Sequence, residues 1–202
     1  MRLPSKLGRA EKQAQTRMRI VCCAQRLCLD RGFEGFTMEE LAGEADVSRR
    51  TLFNYFPSKV DAVLGSDGPD LADPLLEQPI ETFCAGGPHG SLVEDLGALA
   101  DHFLASKEFD RDIVRGRKEA LLSTPKLVSI VHERFETVAA ELTAMIARRM
   151  PDLGATEARL VVHLLVAVFD TATAVYADEH DDRQLADHFR DHLRLAADLL
   201  HR

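Results

Sequence analysis

Between Thr37 and Pro57 the chain carries two helix starts and one helix stop, and no other feature constrains its fold so tightly. Thr37-Met38-Glu39-Glu40 is a capping box: the threonine hydroxyl serves the amide of Glu40, whose carboxylate reaches back to the cap. Ser48 caps a second start, and that helix must end before Pro57, whose ring disfavours helical backbone in the residue preceding it. Ala45-Asp46-Val47 leaves room only for a tight turn. Two short helices joined by such a turn predict a helix-turn-helix.

The flanking sequence completes a small helical domain. A first helix is expected over Glu11–Asp30, with Ile20, Ala24, Leu27 and Cys28 on its buried side. Met38, Leu41 and Ala42 face inward from the helix after Thr37, and Pro57 suits the first turn of a fourth helix ending near Leu64. The glycine- and proline-rich stretch 65–90 reads as a junction holding a short helix near Leu71–Gln78. Beyond it, helical spacing resumes over about 91–106, 108–123, 125–150, 155–178 and 182–201. Strand signals are nearly absent. The expected fold is all-α: an N-terminal three-helix helix-turn-helix domain (residues 1–64) and a C-terminal helical ligand-binding and dimerisation domain (residues 65–202).

Charge separates the two parts. Of 25 Lys/Arg and 33 Asp/Glu, residues 1–64 hold 11 and 8, and residues 65–202 hold 14 and 25. The head is therefore +3 and the body −11, which together make the net −8. A basic head on an acidic body points to a polyanion partner for the head alone. No uninterrupted apolar run approaches the ~18–20 residues a membrane span needs, and no apolar block follows the basic N-terminus as in a secretory leader. Cys22, Cys23, Cys28 and Cys84 show no metal-ligand pair spacing and are read as reduced side chains. The expectation is a cytoplasmic protein with no membrane partner and no cofactor.

On the helix opened by Ser48, Arg49, Arg50, Phe53 and Asn54 form one stripe, while Val47, Leu52 and Phe56 lie opposite. Arginine pairs bidentately with guanine, asparagine with adenine, and an apolar ring contacts a thymine methyl. The stripe is thus the expected base-reading surface. Thr37, Ser48, Thr51, Tyr55 and Lys59 are the expected phosphate contacts.

Residues 32–64, "GFEGFTMEELAGEADVSRRTLFNYFPSKVDAVL", resemble the DNA-binding domain of the TetR family of transcriptional regulators. The likeness rests on Gly32-Phe33, Thr37, Val47-Ser48, Thr51, Tyr55-Phe56 and Lys59. Two positions depart from it: Asp46 replaces the usual turn glycine, and Phe53 stands where tyrosine is common. The resemblance implies a ligand-released repressor acting as a homodimer on a palindromic double-stranded operator. Independently, Leu160, Val161, Val162, Leu164, Leu165, Val166, Val168 and Phe169 surround one helix axis, and a helix apolar all round is buried on several sides. The dimer interface is therefore expected on 155–178 and 182–201, in a four-helix arrangement.

Residues 115–150 resemble the ligand domain of a TetR subgroup containing the mycofactocin-system regulator, which implies an acyl-CoA or other apolar effector. The expected pocket is lined by Leu96, Leu99, Phe103, Ile113, Leu121, Phe135 and Phe169. Arg117, His163, Asp170 and Thr171 are its polar candidates. Two other readings use different residues or none. A helical metal-dependent hydrolase would draw on His188 and His192, one turn apart, with Asp187, Asp191 and His180 or Asp181. An interaction protein that has lost DNA binding would leave the arginine stripe without a role.

Overall fold

The computed structural model describes residues 8–65, 71–105, 109–178 and 182–201. It contains ten α-helices and no strand among those residues: α1 (Arg9–Arg31), α2 (Met38–Glu44), α3 (Arg49–Tyr55), α4 (Lys59–Leu64), α5 (Pro74–Cys84), α6 (Leu92–Ala105), α7 (Arg111–Ser123), α8 (Pro125–Arg149), α9 (Ala155–Asp178) and α10 (Leu185–Leu200). A short 3-10 turn, Phe33–Gly35, follows α1.

The two expected caps are present. The Glu40 amide donates to Thr37 Oγ1 at 3.2 Å and the Thr37 amide to Glu40 Oε2 at 2.8 Å. At α3 the Thr51 amide donates to Ser48 Oγ at 3.0 Å. Between these helices Asp46 adopts φ 48°, a left-handed backbone that Asp tolerates better than most residues. This lets Val47 N–H bond back to the Ala42 carbonyl at 3.0 Å, closing the turn. Asp46→Val is expected to destabilise the head by about 1–2 kcal/mol, and Asp46→Gly to leave it unchanged or more stable. Urea midpoints decide this, and equal midpoints for Val and Gly would show that the turn carries no conformational demand.

Helix boundaries differ from expectation most tellingly at α4 and α5. Helix α4 begins at Lys59, not at Pro57, because Ser58 is the better cap and accepts from the Asp61 amide. Helix α5 begins at Pro74 and runs on to Cys84, because Asp73 caps it through the Leu75 amide. It retains Pro79 inside.

Two compact units are formed, residues 1–68 with 116–130, and residues 69–115 with 131–202. The first therefore takes in the second half of α7 and the start of α8, which the expected division at residue 64 leaves in the body. Its core is Ile20, Ala24, Leu27, Leu41, Leu52 and Phe56, with Val63 from α4. Gly116 lies against Gln25 of α1: a Cβ there would sit 2.2 Å from Gln25 Oε1. Gln25 is buried, and its Nε2 donates to the Val63 carbonyl at 3.1 Å, so it yields only by giving up that bond. Gly116→Ala is expected to cost about 1–2 kcal/mol, read as a lower denaturation midpoint and relieved by Gln25→Ala.

In the second unit α10 packs on α9 and α6. Phe83, Ile146, Val162, Ala172, Leu185 and Phe189 are central to its core. A buried ion pair, Arg149 with Asp95 at 2.7 Å, sits beside Gly87, where a Cβ would meet the Asp95 carboxylate at 2.0 Å. Helix α9 departs from expectation. One side, with Ala158, Val162, Ala172 and Tyr176, is buried, but Leu160 remains 59% and Leu164 42% exposed. By length and composition α9 is the one described helix that could cross a membrane.

Candidate nucleic-acid interface

Helix α3 stands on Leu52, which is buried, and is closed by Phe56, whose amide returns to the Leu52 carbonyl. These two apolar anchors point the opposite side of the helix away from the core. Arg49, Arg50, Phe53 and Asn54 are all exposed on that side, Phe53 by 40%. The expected stripe is therefore one continuous surface.

Its two arginines are not equivalent. Arg49 pairs with Glu39 of α2 at 2.8 Å, and its guanidinium lies 5.6 Å from the centre of the Phe53 ring. An exposed pair of this kind contributes little and exchanges readily for another anion. Arg50 has no ion pair or hydrogen bond to any described residue, so its fork is open for a base edge.

The expected phosphate contacts divide more sharply. Ser48 Oγ caps α3 and bonds the Thr51 hydroxyl at 2.7 Å, so these two groups hold each other. The Thr37 hydroxyl donates to Glu40 at 2.9 Å. That carboxylate is held below its ordinary pKa, first by the Thr37 amide and then by its hydroxyl, so the negative charge persists at the α2 start. Tyr55 is half-buried. Lys59 differs most from expectation: its ammonium donates to the Phe36 carbonyl at 2.8 Å and lies 4.6 and 4.7 Å from the Phe33 and Phe36 ring centres. There it ties the loop after α1 to α4, and cation–π attraction reinforces the bond. The sequence showed the lysine but not the carbonyl, which lies 23 positions away.

Residues 21–63 match the family model for bacterial regulatory proteins of the tetR family. Those residues are a TetR-family DNA-binding domain. The protein is a DNA-binding transcriptional regulator. Over 195 residues, 96% of both chains, it is 25% identical to an HTH-type transcriptional regulator of Mycobacterium tuberculosis. Over 68 residues, 34% of this chain and 30% of the relative, it is 35% identical to the HTH-type transcriptional repressor KstR of the same organism. Among solved structures it is similar to Thermus thermophilus FadR, a TetR-family repressor crystallised with lauroyl-CoA. That match has a TM-score of 0.50 and 25% identity, and covers 90% of this chain and 93% of the other.

The residues expected to line an effector pocket are not brought together as one group. Leu96, Leu99, Phe103, Phe135 and Phe169 join a single core cluster of the second unit. Ile113 is half-buried outside that cluster. Leu121 and Arg117 belong to the segment counted with the first unit. His163 and Asp170 are exposed on α9, although His163 still meets the Phe135 ring edge-on at 5.8 Å between centres. A helix wheel places them one turn from apolar residues, but which side of α9 is covered depends on α6, α8 and α10. A cleft along α5, lined by Leu71, Pro74, Glu77 and Ile80, borders none of them.

The hydrolase reading finds its residues otherwise engaged. His188 is buried against the Tyr176 ring with Arg183 near its Nδ1. His192 Nδ1 donates to the His188 carbonyl at 2.7 Å, Asp191 pairs with Arg183, and Asp187 with Arg190. His180 and Asp181 lie outside the described residues. The tetR-family match of residues 21–63 replaces this reading.

Proposed function

We propose that the protein is a ligand-released repressor that binds a palindromic operator as a homodimer in the cytoplasm. Residues 1–64 carry the DNA-binding domain, and residues 65–202 bind the effector and form the dimer. The observation that carries this reading is the α3 stripe, where Arg50 stands exposed and pairs with no described residue while Leu52 and Phe56 anchor the helix behind it. The base readers are Arg49, Arg50, Phe53 and Asn54. Phe53 offers an apolar contact where relatives commonly carry a hydroxyl, so operator preference at the step beneath it should be distinctive.

The dimer is supported by α9 and α10. Leu160 and Leu164 are one turn apart on α9, and Leu195 and Leu199 one turn apart on α10, all exposed in the single chain. Apolar rows on adjacent helices are what a two-fold interface buries, each copy covering the same patch of the other. The repressor sign and an acyl-CoA effector are supported by similarity to FadR with lauroyl-CoA and to KstR. The test is retardation of the intergenic DNA flanking the gene, with and without lauroyl-CoA. Retardation that lauroyl-CoA abolishes agrees with the whole reading. No retardation would favour an interaction protein that has lost DNA binding.

A further inference from the structure

A carboxylate stands beside the base-reading stripe. Helix α2 carries three of them, Glu39, Glu40 and Glu44. Glu40 is tied to the Thr37 cap and lies 3.5 Å from Arg31, and Glu44 pairs with Arg26 at 2.7 Å, both arginines belonging to α1. Glu39 pairs instead with α3, through Arg49 at 2.8 Å. The Arg49 and Glu39 side chains are 69% and 58% exposed, and a pair so open to water contributes little to stability. A carboxylate brought against duplex DNA is repelled by phosphate and loses water, so it lowers affinity unless a donor meets it. Glu39 therefore bears on which DNA is bound more than on how firmly the head folds.

Both members of the pair keep groups to spare. Arg49 is engaged at Nη1 by Glu39 Oε1 and lies 5.6 Å from the centre of the Phe53 ring, and its Nη2 and Nε meet no described residue. Glu39 Oε2 likewise has no described partner. In the major groove a G·C pair presents, side by side, the guanine acceptors N7 and O6 and the cytosine N4–H2 donor. A neighbouring guanidinium and carboxylate match that row. Arg49 leaves Glu39 to donate its fork to guanine, and the freed carboxylate accepts from cytosine. Where the edge beneath Glu39 is guanine or thymine, oxygen faces oxygen and the carboxylate stays without a donor.

We propose that Glu39 is a specificity-determining residue of the operator contact, acting with Arg49 to select one G·C pair in each half-site. This rests on the operator reading above and adds to it a residue from α2. Arg49 supplies attraction to the right base pair. Glu39 supplies rejection of the wrong ones, because an acceptor edge leaves its charge desolvated and unpaired beside a polyanion.

The test compares full-length wild type, Glu39→Gln, Glu39→Ala and Arg49→Ala by competitive gel retardation. The duplexes are the flanking intergenic operator, copies of it substituted one base pair at a time, and random sequence of the same length. Glutamine keeps the shape of glutamate, but its amide donates as well as accepts and so tolerates guanine or thymine. Wild type is expected to discriminate at least tenfold against substitution at one symmetric pair of G·C positions. In both Glu39 variants that discrimination is expected to disappear, because the substituted operators bind more tightly, while other positions keep their ranking. Arg49→Ala is expected to lose preference at the same positions, which places the two residues over one base pair. Urea midpoints of wild type and the Glu39 variants are expected to coincide. Equal tightening on every duplex would show that Glu39 acts through bulk charge alone and overturns the proposal. Unchanged selectivity, with or without a lowered midpoint, overturns it as well. Wild type that prefers no duplex over random sequence would instead remove the operator reading on which the proposal rests.

Discussion

Leu160→Glu combined with Leu164→Glu is expected to leave the protein monomeric and to reduce operator affinity by at least a hundredfold. Both leucines are exposed on α9 in the single chain, so the substitutions leave the core of each subunit untouched. In a two-fold interface each copy places its two carboxylates against the same patch of the other, so four charges lose water without partners. Each costs several kcal/mol, more than an interface of ordinary strength retains. Operator affinity falls with the dimer because a single recognition helix reads only one half-site. Sedimentation velocity gives the mass, circular dichroism confirms the fold, and gel retardation reads the affinity. A folded double variant that stays dimeric would move the interface off this face of α9.

Arg50→Ala is the second large effect. Loss of one bidentate base contact costs about 1–3 kcal/mol and relaxes preference at that base step. A homodimer loses it twice, so the complex should weaken by about 2–6 kcal/mol while stability stays unchanged, since Arg50 makes no hydrogen bond or ion pair to a described residue. Arg49→Ala should do less, because Arg49 must first leave Glu39. Competition with point-substituted operators separates lost reading from lost charge: a pure phosphate contact weakens every sequence alike. If Arg50→Ala weakens all operators equally, Arg50 holds backbone and the base reader lies elsewhere on α3.

Lys59 stands outside such predictions. Its ammonium is bound to Phe36 and lies over two rings, so substitution there disturbs the join between the α1 loop and α4 as well as any salt dependence. A variant at this position would report on folding and DNA contact together.

The head was legible from the chain because its determinants are local. The capping box at Thr37, the Ser48 cap and the left-handed turn at Asp46 each close within a few residues, where side-chain chemistry and backbone geometry suffice. The α3 stripe followed from helical periodicity, since Leu52 and Phe56 define the buried side and leave Arg50 and Asn54 on the other. Pro57 misplaced the start of α4 because Ser58 competes for the same cap.

What only the tertiary structure decided lies at longer range. Partners tens of positions apart determine that Lys59 meets Phe36, that Arg149 meets Asp95 and that Gly116 leaves no room beside Gln25. Apolar periodicity marked α9 as a helix wanting cover on several sides, but packing against α10 alone showed which side stays bare. Caps and turns are set by neighbours along the chain, whereas burial and pairing are set by neighbours in space.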